Sequence, residues 1–317
     1  MYNDVTFKII NVGNNRINRL NDRFVRYLLA GRKSKLFLAA FVNSALLLEG
    51  ENQIVDLELI PGEIHGEDAK TKLSVLDASA RLADGRTVDI EVQVVNRHDF
   101  RKRGPYYWAK RHALKLEKGG MTTYAEIKPT ITICLLAFDL LEEEDAYRNS
   151  YSIRNDKSGN RLCADMQIIY LELPKFLRFI GVDHPRTGLE RWLLYFCNEE
   201  GERMEKVMTE DVVLSKAKDL ELSFWADDKE RELYFQHQQL LMDAYSDEHT
   251  YRVLLAQETE KAAKQGLEQG LEQGLKQGLK QGKREIAAEM LKLGIDMERI
   301  VKISGLSEEE IRGNSTL

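Results

Sequence analysis

Cysteine is scarce in this chain. There are three in 317 residues (Cys134, Cys163 and Cys197), an odd number at wide separations. They offer no disulfide framework and no metal-binding or redox spacing, and a reducing cytoplasmic setting is the expectation. Long apolar runs are also missing. The longest, near residues 37–48 and 131–141, are too short to span a bilayer. The opening MYNDVTFKII lacks the apolar centre of a signal peptide. Excess positive charge is absent as well. The net charge of −6 argues against a general nucleic-acid coat protein.

What is present is the composition of a soluble globular protein, 43% hydrophobic and 31% charged, long enough for one large domain or two. The charge is unevenly spread. Residues 1–130 hold 21 Lys and Arg against 16 Asp and Glu, whereas residues 131–317 hold 25 against 36. The first part is therefore the one suited to a phosphate-bearing partner.

That part contains residues 72–95, KLSVLDASARLADGRTVDIEVQVV, which read as two strands around the turn residues Asp84-Gly85. On the second strand Val88, Ile90, Val92 and Val94 alternate with Asp89, Glu91 and Gln93, so apolar and polar residues fall on opposite faces. The turn decides where Asp77 goes. A two-residue loop sets Asp77 across from Val92. A three-residue loop, Ala83-Asp84-Gly85, pairs Leu82 with Arg86 and Asp77 with Glu91. The second is favoured, because that loop needs a left-handed third residue and Gly85 supplies one. Asp77, Glu91 and Gln93 then share one polar patch. Two carboxylates and an amide suit a hard divalent cation, Mg²⁺ or Mn²⁺, which activates water and stabilises charge on a phosphate. The competing reading of such a strand is a plain solvated face.

An Asp, a hairpin and then Glu-x-Gln resembles the PD-(D/E)XK nuclease core, and more narrowly the recombination-promoting nucleases, the PD-(D/E)XK nuclease family transposases. Further stretches carry the likeness across roughly residues 20–312. They are Asn21-Asp22-x-Phe24, Arg103-x-x-Tyr106-Tyr107-Trp108, Tyr124-x-x-Ile127-Lys128-Pro129 before ITICLLAFDLL, Leu173-Pro174-Lys175-Phe176, and a glycine-repeat tail. The resemblance implies an α/β (α+β) fold with a mixed sheet flanked by helices, a helical C-terminal half, and a metal-dependent DNA endonuclease. Asp77, Glu91 and the Val92 carbonyl are then the expected metal ligands. Gln93 orients water where many such nucleases carry Lys, and a neutral amide brings no positive charge. Asp22 reads either as a helix cap or as an accessory carboxylate near the metal. The alternative is a non-catalytic DNA-binding or assembly module that keeps the fold.

In chain order, residues 1–20 lack periodicity and read as a poorly ordered leader, followed by a core over 21–185. Helices are expected from about Arg23 and over 34–48, and a strand within 50–64. His65 falls in an acidic loop and reads as solvated. After the hairpin a basic helix begins at Pro105. Its expected core stripe is Tyr106, Ala109, Ala113 and Leu116, leaving Arg111, Lys115 and Lys118 on another side. Arg103, Arg111 and Lys115 are the candidate DNA contacts. Strands follow at 128–141 and 167–173, the latter ended by Pro174, with a loop over 142–161 between them. Residues 186–257 read as a helical subdomain.

Residues 258–283 carry QGLEQGLEQGLKQGLKQG, a four-residue repeat that reads as a helical linker or, through its smooth glycine groove, as a contact between two copies. Five glycines cost it roughly 4–5 kcal/mol of helix propensity. Residues 284–317 hold short helices bounded by Gly294, Gly305, Asp296 and Ser307. Their spacing resembles a helix-turn-helix, but Ser307-Glu308-Glu309-Glu310 is a poor surface for a major groove. A protein contact or a helical cap is the expectation there.

Overall fold

The computed structural model describes residues 5–13, 16–31, 33–64, 74–75, 77–96, 99–116 and 123–312. His65 and Lys118 lie outside them. The chain divides into two compact units, residues 1–248 and 249–317.

The first unit starts with α1 (Val5–Ile10), α2 (Asp22–Leu29) and α3 (Lys35–Leu46). Strands β1 (Leu57–Leu59), β2 (Glu63–Ile64), β3 (Ser74–Val75), β4 (Ala78–Leu82) and β5 (Thr87–Gln93) follow, then α4 (Phe100–Ala113). Next come β6 (Thr130–Leu136), β7 (Arg148–Tyr151), β8 (Met166–Glu172) and α5 (Leu173–Ile180). Helices α6 (Gly188–Phe196), α7 (Glu202–Glu210), α8 (Val212–Ala226) and the start of α9 (Asp228–Lys292) complete the unit. Six strands form one mixed sheet in the order β1-β4-β5-β6-β8-β7, with β5, β6 and β8 parallel and the others antiparallel. The expected α/β class and mixed sheet are what the chain adopts.

Strand β6, TITICLL, is buried at every position, as a parallel strand covered on both faces must be. Val88, Ile90, Val92, Ile131, Ile133 and Leu135 enter the main core on one face, while Cys134, Leu136, Ile168 and Tyr170 join Phe100 and Phe138 on the other. Two parallel strands need a crossover. Helix α4 is that crossover between β5 and β6, so the polar face of β5 is covered and not solvated. Asp89 and Glu91 are 1% and 3% exposed.

Helix α4 departs from expectation in start and in facing. It begins at Phe100, where the Asp99 carbonyl accepts from the Lys102 and Arg103 amides, and Pro105 lies inside it. The residues turned inward are Phe100 and Gly104, with Trp108, Arg111 and Lys115 half-buried; Tyr106, Ala109 and Ala113 are exposed. The basic side thus faces the sheet, because the sheet presents acids there. Two further elements went unforeseen. Strand β7 lies within the expected loop 142–161, and Pro174, in the first turn of α5, starts a helix where only a strand end was expected.

Described residues of the expected leader enter the core. Ile9 and Ile10 of α1 are buried, and the Thr6 hydroxyl donates to the Ala137 carbonyl at 2.6 Å. Arg19 is 2% exposed, with Nε 2.7 Å from Glu221 Oε1 and further bonds to the Tyr195 and Glu199 carbonyls. Nor do helices α6 and α8 stand apart from it. Phe41 meets Trp192 and Phe196, and Phe24 meets Phe224, at ring-centroid distances of 5.3–5.6 Å. These rings join sheet and helices in one core, because α2 and α3 alone leave their outer faces apolar.

In the second unit, the repeat lies within the unbroken helix α9, with Leu267, Leu271, Leu275 and Leu279 exposed. Helices α10 (Met297–Ser304) and α11 (Glu308–Arg312) pack with the end of α9 around Ala287, Ile300, Leu306 and Ile311. Ser307 and Glu310 form the reciprocal bonds expected of them.

Removing one partner of a buried ion pair leaves the other charge uncompensated. Arg19→Ala is therefore expected to lower unfolding free energy by about 3–5 kcal/mol, measured by urea titration. A loss below about 1 kcal/mol would mean that this pair does not hold the N-terminal segment to the helices.

Candidate active site

The hairpin register is the three-residue-loop alternative. Ala78 pairs with Ile90, Ser79 with Asp89, Ala80 with Val88 and Arg81 with Thr87. At the turn the Leu82 amide donates to the Arg86 carbonyl, and Gly85 has φ +85°. One residue beyond the ladder stands Asp77, level with Glu91. Its Oδ2 accepts the Val92 amide at 2.8 Å, which fastens the carboxylate to the end of β5.

Around this pair the charges alternate. Glu91 Oε1 accepts from Gln93 Nε2 at 2.8 Å and lies 3.5 Å from an Arg103 amino group; Arg103 also reaches Gln93 Oε1 at 3.4 Å. The Arg26 Nε of α2 stands 3.7 Å from Asp77 Oδ1. Asp22 opens the same helix and is exposed. It does not cap the helix; Asn21 does, its side chain accepting from the Arg23 amide. Burial raises both Asp77 and Glu91 well above the carboxylate range. Asp22 lifts Asp77 further, Asp77 and Asp22 lift Glu91 further, and Arg26 and Arg103 oppose the shifts.

Glu91 Oε2 is, among the described residues, the one carboxylate oxygen buried without a hydrogen-bond partner. A buried acceptor left so is costly unless something occupies it. Asp77, Glu91 and the carbonyls at the end of β5 fit a hard divalent cation, which takes one or two carboxylates and completes its shell with water and phosphate. Among the described residues no three His, Cys, Asp or Glu side chains converge as a protein-only metal cage. Asp22 acts on the pair through its charge.

The expected DNA contacts separate here. Arg103 is beside the carboxylates. Arg111 is bound inward: its Nε is 3.2 Å from both Asp89 oxygens, and its amino group reaches Ser79 Oγ and the Pro61 carbonyl. Lys115 donates to the Lys128 and Pro129 carbonyls, and burial lowers its pKa to about 8. Arg26 was not singled out from sequence, although Asp22 and Arg26, four apart, share a helix face.

Two features position the site. Gly104 lets α4 approach β8, since a Cβ there would stand 2.5 Å from the Tyr170 hydroxyl. Beside Gln93 opens a cleft of about 380 Å³ between Asp22, Val92–Val95, Arg103 and the α9 residues His237, Leu240, Leu241 and Ala244. Neither Gly104 nor the α9 wall carries a sequence signal for the site.

A family model described as PD-(D/E)XK nuclease family transposase matches residues 19–250. A second, described as the C-terminal HTH domain of the Rpn/YhgA-like nuclease family, matches residues 280–316, in line with the helix-turn-helix spacing, although a protein contact or a helical cap was the expectation there. No curated protein and no solved structure matches the chain.

Because folding raises the Asp77 and Glu91 pKa values, the metal-free native state holds more protons than the unfolded chain above the usual carboxylate range, and stability falls as pH rises through neutrality. The urea midpoint is expected to drop between about pH 6 and about pH 8.5, and Glu91→Gln to flatten that drop. An unchanged slope in Glu91→Gln would show that the buried acid is not its source. Gly104→Ala should cost about 1–3 kcal/mol by overpacking against Tyr170, read by the same titration.

Proposed function

The chain belongs to the PD-(D/E)XK nuclease family transposases, and we propose on that premise that it is a Mg²⁺- or Mn²⁺-dependent DNA endonuclease. The observation that carries this is the partnerless Glu91 Oε2 beside Asp77, a donor pair buried, acidic and fastened to the end of a central strand. Asp77, Glu91 and the Val92 carbonyl would hold the cation. When bound, it supplies Lewis-acid stabilisation of the phosphate and an acidified water.

The chain's own groups do the rest. The Val92 amide holds the Asp77 carboxylate in place, so its second oxygen faces the site. Gln93 ties Glu91 to Arg103, and its amide orients a water without competing for the proton. Arg103 brings beside that amide the positive charge it lacks, within reach of a phosphate oxygen. Arg111 and Lys115 enter as supports of α4, not as phosphate contacts. The helix-turn-helix tail adds a second contact with DNA, and the exposed Leu ridge of α9 remains available for a second copy.

Nicking of supercoiled plasmid with Mg²⁺ or Mn²⁺ tests the proposal. Asp77→Asn and Glu91→Gln are expected to lower the rate by roughly 100-fold or more while the circular dichroism spectrum is kept. Parent-rate nicking by either folded variant would remove this site. DNA binding by a wild-type protein that never nicks would favour the non-catalytic module.

A further inference from the structure

The cleft beside the carboxylates has a composition the phosphodiester chemistry does not need. Asn21, Asp22, Gln93, Arg103 and His237 supply its polar lining, whereas Val94, Val95, Leu240, Leu241 and Ala244 give it an apolar portion as well. Leu240 is 66% exposed at the edge of this space. His237, half-buried in the same wall, makes no hydrogen bond or ion pair with any described residue. The wall is rigid. Tyr234 accepts the Asn18 amide through its hydroxyl, Gln238 bonds Asn18, Asn21 and the Ile10 carbonyl, and Glu230 pairs with Arg23.

A backbone threading past Glu91 thus has, one step away, a half-open recess with a partly apolar wall and one free imidazole. Its volume, about 380 Å³, is at the small end of pockets that take a single organic molecule. A paired base cannot enter it, because its partner strand comes with it. A base turned out of the stack can.

We propose that this cleft receives the unpaired nucleobase adjoining the scissile phosphate, so that the preferred substrate is single-stranded or locally unpaired DNA. The proposal rests on the nuclease reading and names the substrate class of the same site. Leu240 and Leu241 cover the face of the base, and His237 offers its edge a hydrogen bond. The cost of extruding a base is least where it is already unpaired, so the preference follows from what the cleft accepts. With no Phe, Tyr or Trp in the lining, contact is chiefly by shape, and discrimination among the four bases is expected to be weak.

The test uses the full chain carrying Asp77→Asn, which binds without cutting, and oligonucleotides with 2-aminopurine next to the preferred cleavage position. Fluorescence is expected to rise on binding, as the base leaves its neighbours for an aliphatic surface. A bulged or single-stranded oligonucleotide should bind at least about tenfold tighter than the paired duplex of the same sequence, the factor that roughly 1.4 kcal/mol of unpairing corresponds to. Leu240→Trp, at an exposed position, should fill the cleft, suppress the fluorescence rise and bring the preference to within about twofold. His237→Ala provides a second variant that leaves the helix intact. Equal binding of paired and unpaired DNA with flat fluorescence would overturn the proposal. In the unmodified protein, cleavage of duplex alone would do the same. Failure to cleave any DNA while the fluorescence rise persists would instead count against the nuclease reading and leave the cleft's ligand standing.

Discussion

The interaction on which the rest of the molecule depends is the contact between the acidic face of β5 and the basic face of α4. A parallel neighbour obliges β5 to be covered on both sides, and its second face carries Asp89, Glu91 and Gln93. Leaving carboxylates there against an apolar helix would strand buried charge. Helix α4 answers with Arg111 over Asp89 and Arg103 over Glu91. That accounts for its unexpected facing. It also explains why α4 is so weakly amphipathic by sequence: its inward side is a mixture of Phe100, Gly104, Trp108 and cations.

The two buried acids of β5 differ in a way that separates structure from chemistry. Burial raises both. Asp89 is surrounded: both oxygens face Arg111, and Ser79 Oγ donates at 2.5 Å. Its role is complete within the protein. Glu91 keeps one oxygen with no partner, next to a second carboxylate and under the charge of a third. An arrangement of that kind is held in place by the surrounding fold. The strand therefore carries, two residues apart on the same face, one acid fully bonded within the protein and one that is not.

Positioning comes from elements distant in sequence. Helix α2 delivers Asp22 and Arg26, α4 delivers Arg103, and α9 delivers the cleft wall more than 130 residues later in the chain. Arg19, Asn18 and Asn21 hold α2 to α8 and α9, so the segment before α2 sets the alignment of α2 against the last helix of the unit. A stretch without periodicity is here the clasp between two layers.

Several things were legible in the sequence. The parity of the hairpin, together with Gly85 at a position needing positive φ, determined that Asp77 lies level with Glu91. Continuous β-rich runs identified β6 and β8. The four-residue repeat and the glycine and capping residues identified the long helix and the bounds of the tail helices. These are properties of neighbours along the chain, where period, turn geometry and capping act. Tertiary packing decided the remainder. Whether the polar face of β5 is wet or covered depends on the direction of its neighbour strand, which no local pattern encodes. Arg111 and Lys115 look like free cations until the acids and carbonyls that hold them are in place. Leu240 and His237 look like ordinary helix-surface residues, and come to line a cleft because α9 packs beside the end of β5.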